Sequence, residues 1–262
     1  MSKFLTETLD GIEITRAKDI EKHGDHDQSS HGNWATGGAE GVSDSDLERA
    51  YQDFQGFSDE TGYSALYVYT HNGYKILNGY QRGGDPYALV MDEKDEFMDR
   101  IPALLIESSG IDTDITRGGN DEAYKEMEKI IETATAALDS AIDEAPSILE
   151  NKIVYRVASV DALRGLKEGD VFTEKGYTST TSVDITKNSK LRENLGQIDK
   201  TTDDVVVKIY NGTHGKGLSV NNIQEAAANK NAFENEIILP RGRDFKFIGK
   251  DKDGNYLLER QN

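Results

Sequence analysis

Phe233-Glu234-Asn235-Glu236-Ile237-Ile238-Leu239-Pro240 is the stretch from which the rest of the chain can be read. Ile237, Ile238 and Leu239 favour a strand, and Pro240 ends its ladder because it has no N–H to donate. Side chains on a strand alternate between faces. A strand running through this stretch would put Glu234 and Glu236 on one face, about 7 Å apart along it, with Asn235 opposite. Two carboxylates that close repel each other unless the face is wet or a cation lies between them. The pair therefore marks either a solvated strand start or two catalytic carboxylates facing a cleft that receives a cation.

The surroundings narrow the choice. The 262 residues suffice for one large domain or two small ones with a substantial core. The net charge of −18 disfavours nucleic-acid binding through bulk electrostatics, because phosphate contacts need a basic surface. The absence of cysteine excludes disulfides, thiolate metal sites and a cysteine nucleophile, and fits a reducing compartment. No apolar signal-peptide core occurs in residues 1–15, and no stretch reaches transmembrane length, so no export signal is read.

Residues 1–44 read as a polar tail or linker, and residues 22–38 in particular are Gly-rich and without periodicity. His23, His26 and His31 lie there, but their spacing matches no metal site, so no metal is expected. Trp34 reads as a docking residue, for this protein's own body or for a partner.

A helix is expected from Ser45, where Ser45-Asp46-Leu47-Glu48 has capping-box spacing and Leu47, Ala50, Tyr51 and Phe54 form a stripe. Residues 65–78 are ambiguous: 66–69 suit a strand, whereas Leu66, Thr70, Gly73, Tyr74 and Leu77 fall at helical spacing. Residues 85–150 hold most of the negative charge, which reads first as a solvated helix face. Within them Phe97, Ile101, Leu104 and Leu105 suggest a short helix. Gly118-Gly119-Asn120 then gives a break and an N-cap. Met127, Ile130, Ile131, Ala134, Leu138, Ala141 and Ile142 form a long stripe that stops before Pro146.

From Lys152 the period becomes that of strands. Ile153-Val154-Tyr155-Arg156-Val157-Ala158 carries an Arg at its centre, and Val205-Val206-Val207-Lys208-Ile209-Tyr210 is the strongest strand. Lys252-Asp253-Gly254-Asn255 is a hairpin signal, and residues 224–230 read as a helix or loop. The Gly-rich loop 211–217 lacks the spacing of a phosphate-binding loop. A helical first half followed by a β second half is an α+β pattern.

Taken in order, Arg156, the hydroxyl run Ser179-Thr180-Thr181 and the pair Glu234 and Glu236 resemble the Arg-Ser-Glu class of mono-ADP-ribosyltransferases with a Glu-x-Glu motif. The approach Gly169-Asp170-Val171-Phe172-Thr173-Glu174-Lys175-Gly176-Tyr177 is similar to that family's, as is the strand and turn through Arg241-Gly242. Tyr69-Thr70, Tyr74, Asn78 and Arg82 resemble a family helix, which favours a helix in the ambiguous segment.

The resemblance implies an α+β ADP-ribosyltransferase-like fold, with N-terminal helices on a two-sheet, antiparallel-leaning core over residues 45–262. Residues 85–120 would be an acidic insertion. It also implies NAD as substrate, with transfer of ADP-ribose to arginine of host proteins and release of nicotinamide. In that reading Glu236 holds the nicotinamide ribose and stabilises its cation. Arg156 grips phosphate bidentately, Ser179 orients Glu236, Thr180 and Thr181 support the strand, and Glu234 receives the guanidinium. Val183 to Lys208 contains no aromatic to stack on nicotinamide, so that contact is either missing or supplied elsewhere, with Phe172 and Tyr177 as the candidates.

Residues 22–38 also resemble a short stretch recurring in tailed-phage structural and head-associated proteins. This implies a phage origin, action in the host bacterial cytoplasm, packaging in the virion and a capsid partner for the tail. Two alternatives stay open: a non-catalytic head-associated protein with a transferase-like fold, and an NAD glycohydrolase.

Overall fold

Strand-forming residues dominate the second half of the chain, and they build one extended sheet against which the helices of the first half pack. The computed structural model describes residues 5–9, 12–16, 39–92, 120–195, 204–223 and 234–261. Among these the strands are β1 (Leu5–Leu9), β2 (Ile12–Arg16), β3 (Glu40–Gly41), β4 (Lys152–Ser159), β5 (Val171–Glu174), β6 (Thr178–Thr181), β7 (Asp204–Tyr210), β8 (Leu218–Ser219), β9 (Glu236–Leu239), β10 (Arg243–Lys250) and β11 (Tyr256–Arg260). Their order is β1-β2-β5-β10-β11-β7-β4-β6-β9-β8, with β3 beside β4. Only β11 with β7 and β3 with β4 run parallel. A single residue pair, Tyr155 with Thr181, joins β4 to β6. The sheet is therefore nearly two sheets, a long one ending at β4 and a short one of β6, β9 and β8. The site lies at this seam.

The helices are α1 (Asp44–Tyr51), α2 (Thr61–Val68), α3 (Tyr74–Gln81), α4 (Pro86–Asp92), α5 (Asn120–Glu144) and α6 (Ser189–Leu195). The whole expected stripe of α5 is buried, with Ile131, Ala134, Leu138 and Ile142 completely so. It packs on α2, α3 and α4, and the helix ends before Pro146, as its ring requires. The ambiguous segment is helical, and a π turn, Tyr69–Gly73, joins α2 to α3. Gly73 is needed there, since a Cβ would strike the Val68 carbonyl. The π turn rotates Tyr69 inward, and that side chain is 1% exposed.

Two boundaries differ from the sequence expectation. The N-cap of α1 is Ser43, whose hydroxyl accepts from the Asp46 N–H at 3.1 Å, so Ser45 lies inside the first turn. An extended backbone at Ser43 leaves its oxygen free to cap, which a helical Ser45 cannot do. The stretch read as a tail also contributes structure: β1 pairs with β2, and β2 pairs with β5. The His23, His26, His31 and Trp34 readings, the helix around Phe97–Leu105, and residues 224–230 lie outside the described residues.

The α5 stripe makes a direct prediction. Leu138→Ala should lower stability by about 2–5 kcal/mol, from lost transfer energy plus an unfilled cavity. Urea denaturation measures it, and a loss below 1 kcal/mol would mean that α5 does not pack as described.

Candidate active site

The carboxylate pair is not displayed by a continuous strand. β9 begins at Glu236, Glu234 sits in a turn, and Asn235 between them has φ 45°, in the left-handed region. The expected alternation through Glu234 is thus interrupted, because a residue at positive φ turns the chain out of the pleat. Both glutamates are half-buried, and they still sense each other electrostatically.

Register explains how Ser179 reaches Glu236. Thr181 pairs with Glu236 and Ser179 with Ile238, so Ser179 and Glu236 lie diagonally on the same face of the β6–β9 ladder. From that position the Ser179 hydroxyl lowers the Glu236 pKa by hydrogen bonding toward its carboxylate. Burial nonetheless raises the Glu236 pKa from 4.5 to about 7, and the nearby Glu234 charge adds to this while Ser179 opposes it. Burial also raises Glu234.

A chain of hydrogen bonds runs back from Ser179. Tyr69 Oη lies 3.1 Å from Ser179 Oγ, and Asn78 Nδ2 donates to Tyr69 Oη at 3.4 Å. The Asn78 amide is oriented by the backbone of Tyr177: Oδ1 accepts the Tyr177 N–H at 2.7 Å and Nδ2 donates to the Tyr177 carbonyl at 3.1 Å. Gly176 permits this approach, since a Cβ there would come within 2.7 Å of the Asn78 side chain. A backbone N–H can only donate, so the polarity propagates outward. Asn78 donates to Tyr69, and because an ionised Glu236 can only accept, Ser179 donates to it and accepts the hydrogen bond of Tyr69. The chain therefore favours the ionised carboxylate, against the burial that opposes it.

Arg156 lies on β4 opposite Val207 of β7. With Arg82, Phe172, Glu174 and Thr178 it lines a cavity of about 170 Å³. Its Nε is buried and has no hydrogen-bond partner. Burial lowers its proton affinity, and the Glu174 charge partly offsets this. Arg82 is held over the same cavity by Glu174, with Nε and Nη2 each 3.0 Å from Oε1. Two guanidinium groups facing one carboxylate leave a net positive cavity with an unmet donor, which suits a phosphate-bearing ligand.

The remaining expected residues fall behind this surface. Thr180 donates to the Ile237 carbonyl at 2.7 Å and Thr181 to the Glu234 carbonyl at 2.6 Å. Both side chains are buried, so they brace β9 and the Glu234 turn and do not present their hydroxyls to a ligand. Tyr177 is 1% exposed, sits edge-on to Tyr69, and donates to Asp139 at 2.7 Å, with the Thr135 carbonyl 2.9 Å from the same hydroxyl. Its burial leaves no open face for a stacked nicotinamide. Phe172 is also buried, tilted against Phe245 at 5.8 Å, but it lines the Arg156 cavity.

Sequence reasoning quoted Tyr69, Asn78 and Arg82 only as parts of a pattern, and it gave Glu174 no role. Their functional signal is tertiary: each acts through a partner some 90 to 110 positions away. Among the described residues no group of three His, Asp or Glu side chains could hold a metal ion.

Comparison with known proteins gives these features a family. The family model described as ADP-ribosyltransferase exoenzyme matches residues 106–258, a span that includes Arg156, Ser179, Glu234 and Glu236. The chain belongs to the ADP-ribosyltransferase exoenzyme family. The C3 exoenzyme of Clostridium limosum is similar in structure, at 15% identity and a TM-score of 0.50, covering 85% of this chain and 97% of that one. That likeness shows a shared fold. The Vis toxin, an ADP-ribosyltransferase of Vibrio splendidus, has 14% identity and a TM-score of 0.49 over 85% of this chain and 88% of its own. C3stau2 of S. aureus, solved with NAD, has 14% identity and a TM-score of 0.45 over 82% and 90%. No curated protein sequence matches.

Burial of Glu236 has a cost that can be measured. A carboxyl raised in the fold gives full stability below its unfolded pKa of 4.5, and that stability is lost as pH rises through about 7. Glu236→Gln should therefore be more stable than wild type at pH 8, by ~2 kcal/mol, and the two should converge below pH 4.5. Thermal melts across this range provide the test, and a variant less stable at pH 8 would contradict the burial argument.

Proposed function

We propose that the chain cleaves the nicotinamide–ribose bond of NAD at Glu236 and transfers ADP-ribose to an arginine side chain of a target protein. The observation that carries this reading is the half-buried Glu236, held by Ser179 and accompanied by Glu234, in a fold that also leaves Arg156 with an unmet donor in a cavity; the buried Tyr69 senses the charge of both Glu236 and Arg156.

Arg156, with Arg82 at the rim, would take the pyrophosphate, satisfying the free Nε with a phosphate oxygen. The scissile C1′–N bond of the nicotinamide riboside then lies toward Glu236. As it breaks, nicotinamide departs with the bonding electrons and positive charge spreads over C1′ and the ring oxygen. The fixed Glu236 carboxylate stabilises that charge in a water-poor site, where the interaction is stronger than in bulk. The Ser179–Tyr69–Asn78 chain favours the ionised carboxylate and orients it without reorganisation.

Glu234 supports the choice of acceptor. A guanidinium entering against a carboxylate is held by a paired, charge-assisted hydrogen bond. Its nitrogen forms the new bond to C1′, and the proton it sheds passes to Glu234 and then to water. The net charge of −18 also favours encounter with basic target surfaces.

Labelled NAD incubated with the protein and a lysate tests this, with variants run beside the wild type. Glu236→Gln should lose nicotinamide release by roughly 10²- to 10³-fold. Glu234→Gln should lower transfer by roughly 10²-fold, more than it lowers nicotinamide release. The label should be removed by neutral hydroxylamine, as an arginine linkage requires. Nicotinamide release with no protein label would make water the acceptor, and undiminished cleavage in Glu236→Gln would overturn the assignment of the site.

A further inference from the structure

Asn235 separates the two glutamates, and its side chain is bound in place. Its Oδ1 accepts from Asn221 Nδ2 at 2.6 Å, and its Nδ2 reaches Asp44 Oδ1 at 3.4 Å. Asn221 belongs to the 3-10 turn after β8, and Asp44 opens α1. The backbone is fixed from the other side. The Ser182 N–H donates to the Asn235 carbonyl at 3.2 Å, and Thr181 Oγ1 donates to the Glu234 carbonyl at 2.6 Å. Three elements thus converge on the two residues that precede the strand.

This investment holds a conformation that the sequence around it resists. Ile237, Ile238 and Leu239 favour extension, and an extended residue 235 would return Glu234 to the face of Glu236. The left-handed backbone at φ 45° prevents that. Asn tolerates this region better than other residues with a Cβ, because its short amide can bond locally. Here the amide bonds to fixed partners and locks the turn.

Glu236 is placed by β9 and by Ser179, independently of this turn. Among the described residues, Glu234 is placed by this turn and by the Thr181 bond to its carbonyl. We infer that Asn235 is a positioning residue for Glu234: its clamped, left-handed backbone sets where the acceptor is received relative to Glu236, and so decides whether ADP-ribose passes to a guanidine or to water. This rests on the arginine-transfer reading above.

The test measures, for one reaction with NAD and agmatine as a small guanidine acceptor, the ratio of agmatine modified to nicotinamide released. Asn235→Ala lacks the clamp and strains the backbone. Asn235→Gly lacks the clamp but accepts positive φ freely. The ratio should fall at least tenfold in Asn235→Ala and only two- to threefold in Asn235→Gly. Nicotinamide release should fall much less than transfer in both, which also reports that the variants are folded.

A ratio unchanged in Asn235→Ala overturns the inference. So does an equal loss of transfer and release, which would make the residue a support for Glu236. A wild type that releases nicotinamide but leaves agmatine unmodified overturns the arginine reading itself and the inference with it. That failure is recognisable because it shows before any variant is compared.

Discussion

Everything at the site follows from keeping one carboxylate charged where water is scarce. Glu236 is raised to about 7 by burial and by Glu234, and among the described residues no cation is paired with either. What offsets the desolvation is a directed chain of neutral donors, from the Tyr177 backbone through Asn78 and Tyr69 to Ser179. Neutral donors have an advantage over a salt bridge here. They favour the anion without cancelling its charge, so that charge remains for a cationic centre developing on the substrate. The arrangement lowers stability at neutral pH, as buried functional groups commonly do, and in the proposed reaction the retained charge is what acts on the substrate.

The fold is arranged to make that chain possible. The seam between the long and short parts of the sheet, held by one residue pair, lets β6 and β9 carry Ser179 and Glu236 while β4 carries Arg156. The π turn between α2 and α3 points Tyr69 into the seam, and α3 brings Asn78 against β6. Behind them α5 anchors the layer through Asp139, which takes two Arg241 nitrogens and the Tyr177 hydroxyl. The turn after β9 is thereby tied to the same helix that braces the approach to β6.

Local patterns carried much of this architecture into the sequence. The α5 stripe, the β4 and β7 strands and the hairpin between β10 and β11 are legible because one face of each is buried, which imposes a period. The order Arg156, Ser179, Glu234, Glu236 could be picked out because it resembles a family pattern. What could not be read depends on backbone exceptions and distant partners. Positive φ at Asn235 contradicts the propensity of its neighbours, so strand reasoning extended β9 by two residues. Ser43 outcompetes Ser45 as a cap because of where the chain enters α1. Thr180, Thr181 and Tyr177 turn inward to brace strands and helices, which no one-dimensional pattern distinguishes from facing a ligand.

The central claim is that Glu236 acts as a half-buried anion whose charge Ser179 sustains. The most direct measurement is the pH dependence of kcat/KM for nicotinamide release, in wild type and in Ser179→Ala, because this parameter reports groups of the free enzyme. Wild-type activity should rise with pH through a midpoint near the Glu236 pKa of about 7. Loss of the Ser179 donor should move the midpoint upward, since that bond is what lowers the pKa. A profile flat between about pH 5 and 9, or a midpoint that Ser179→Ala leaves in place, would contradict it.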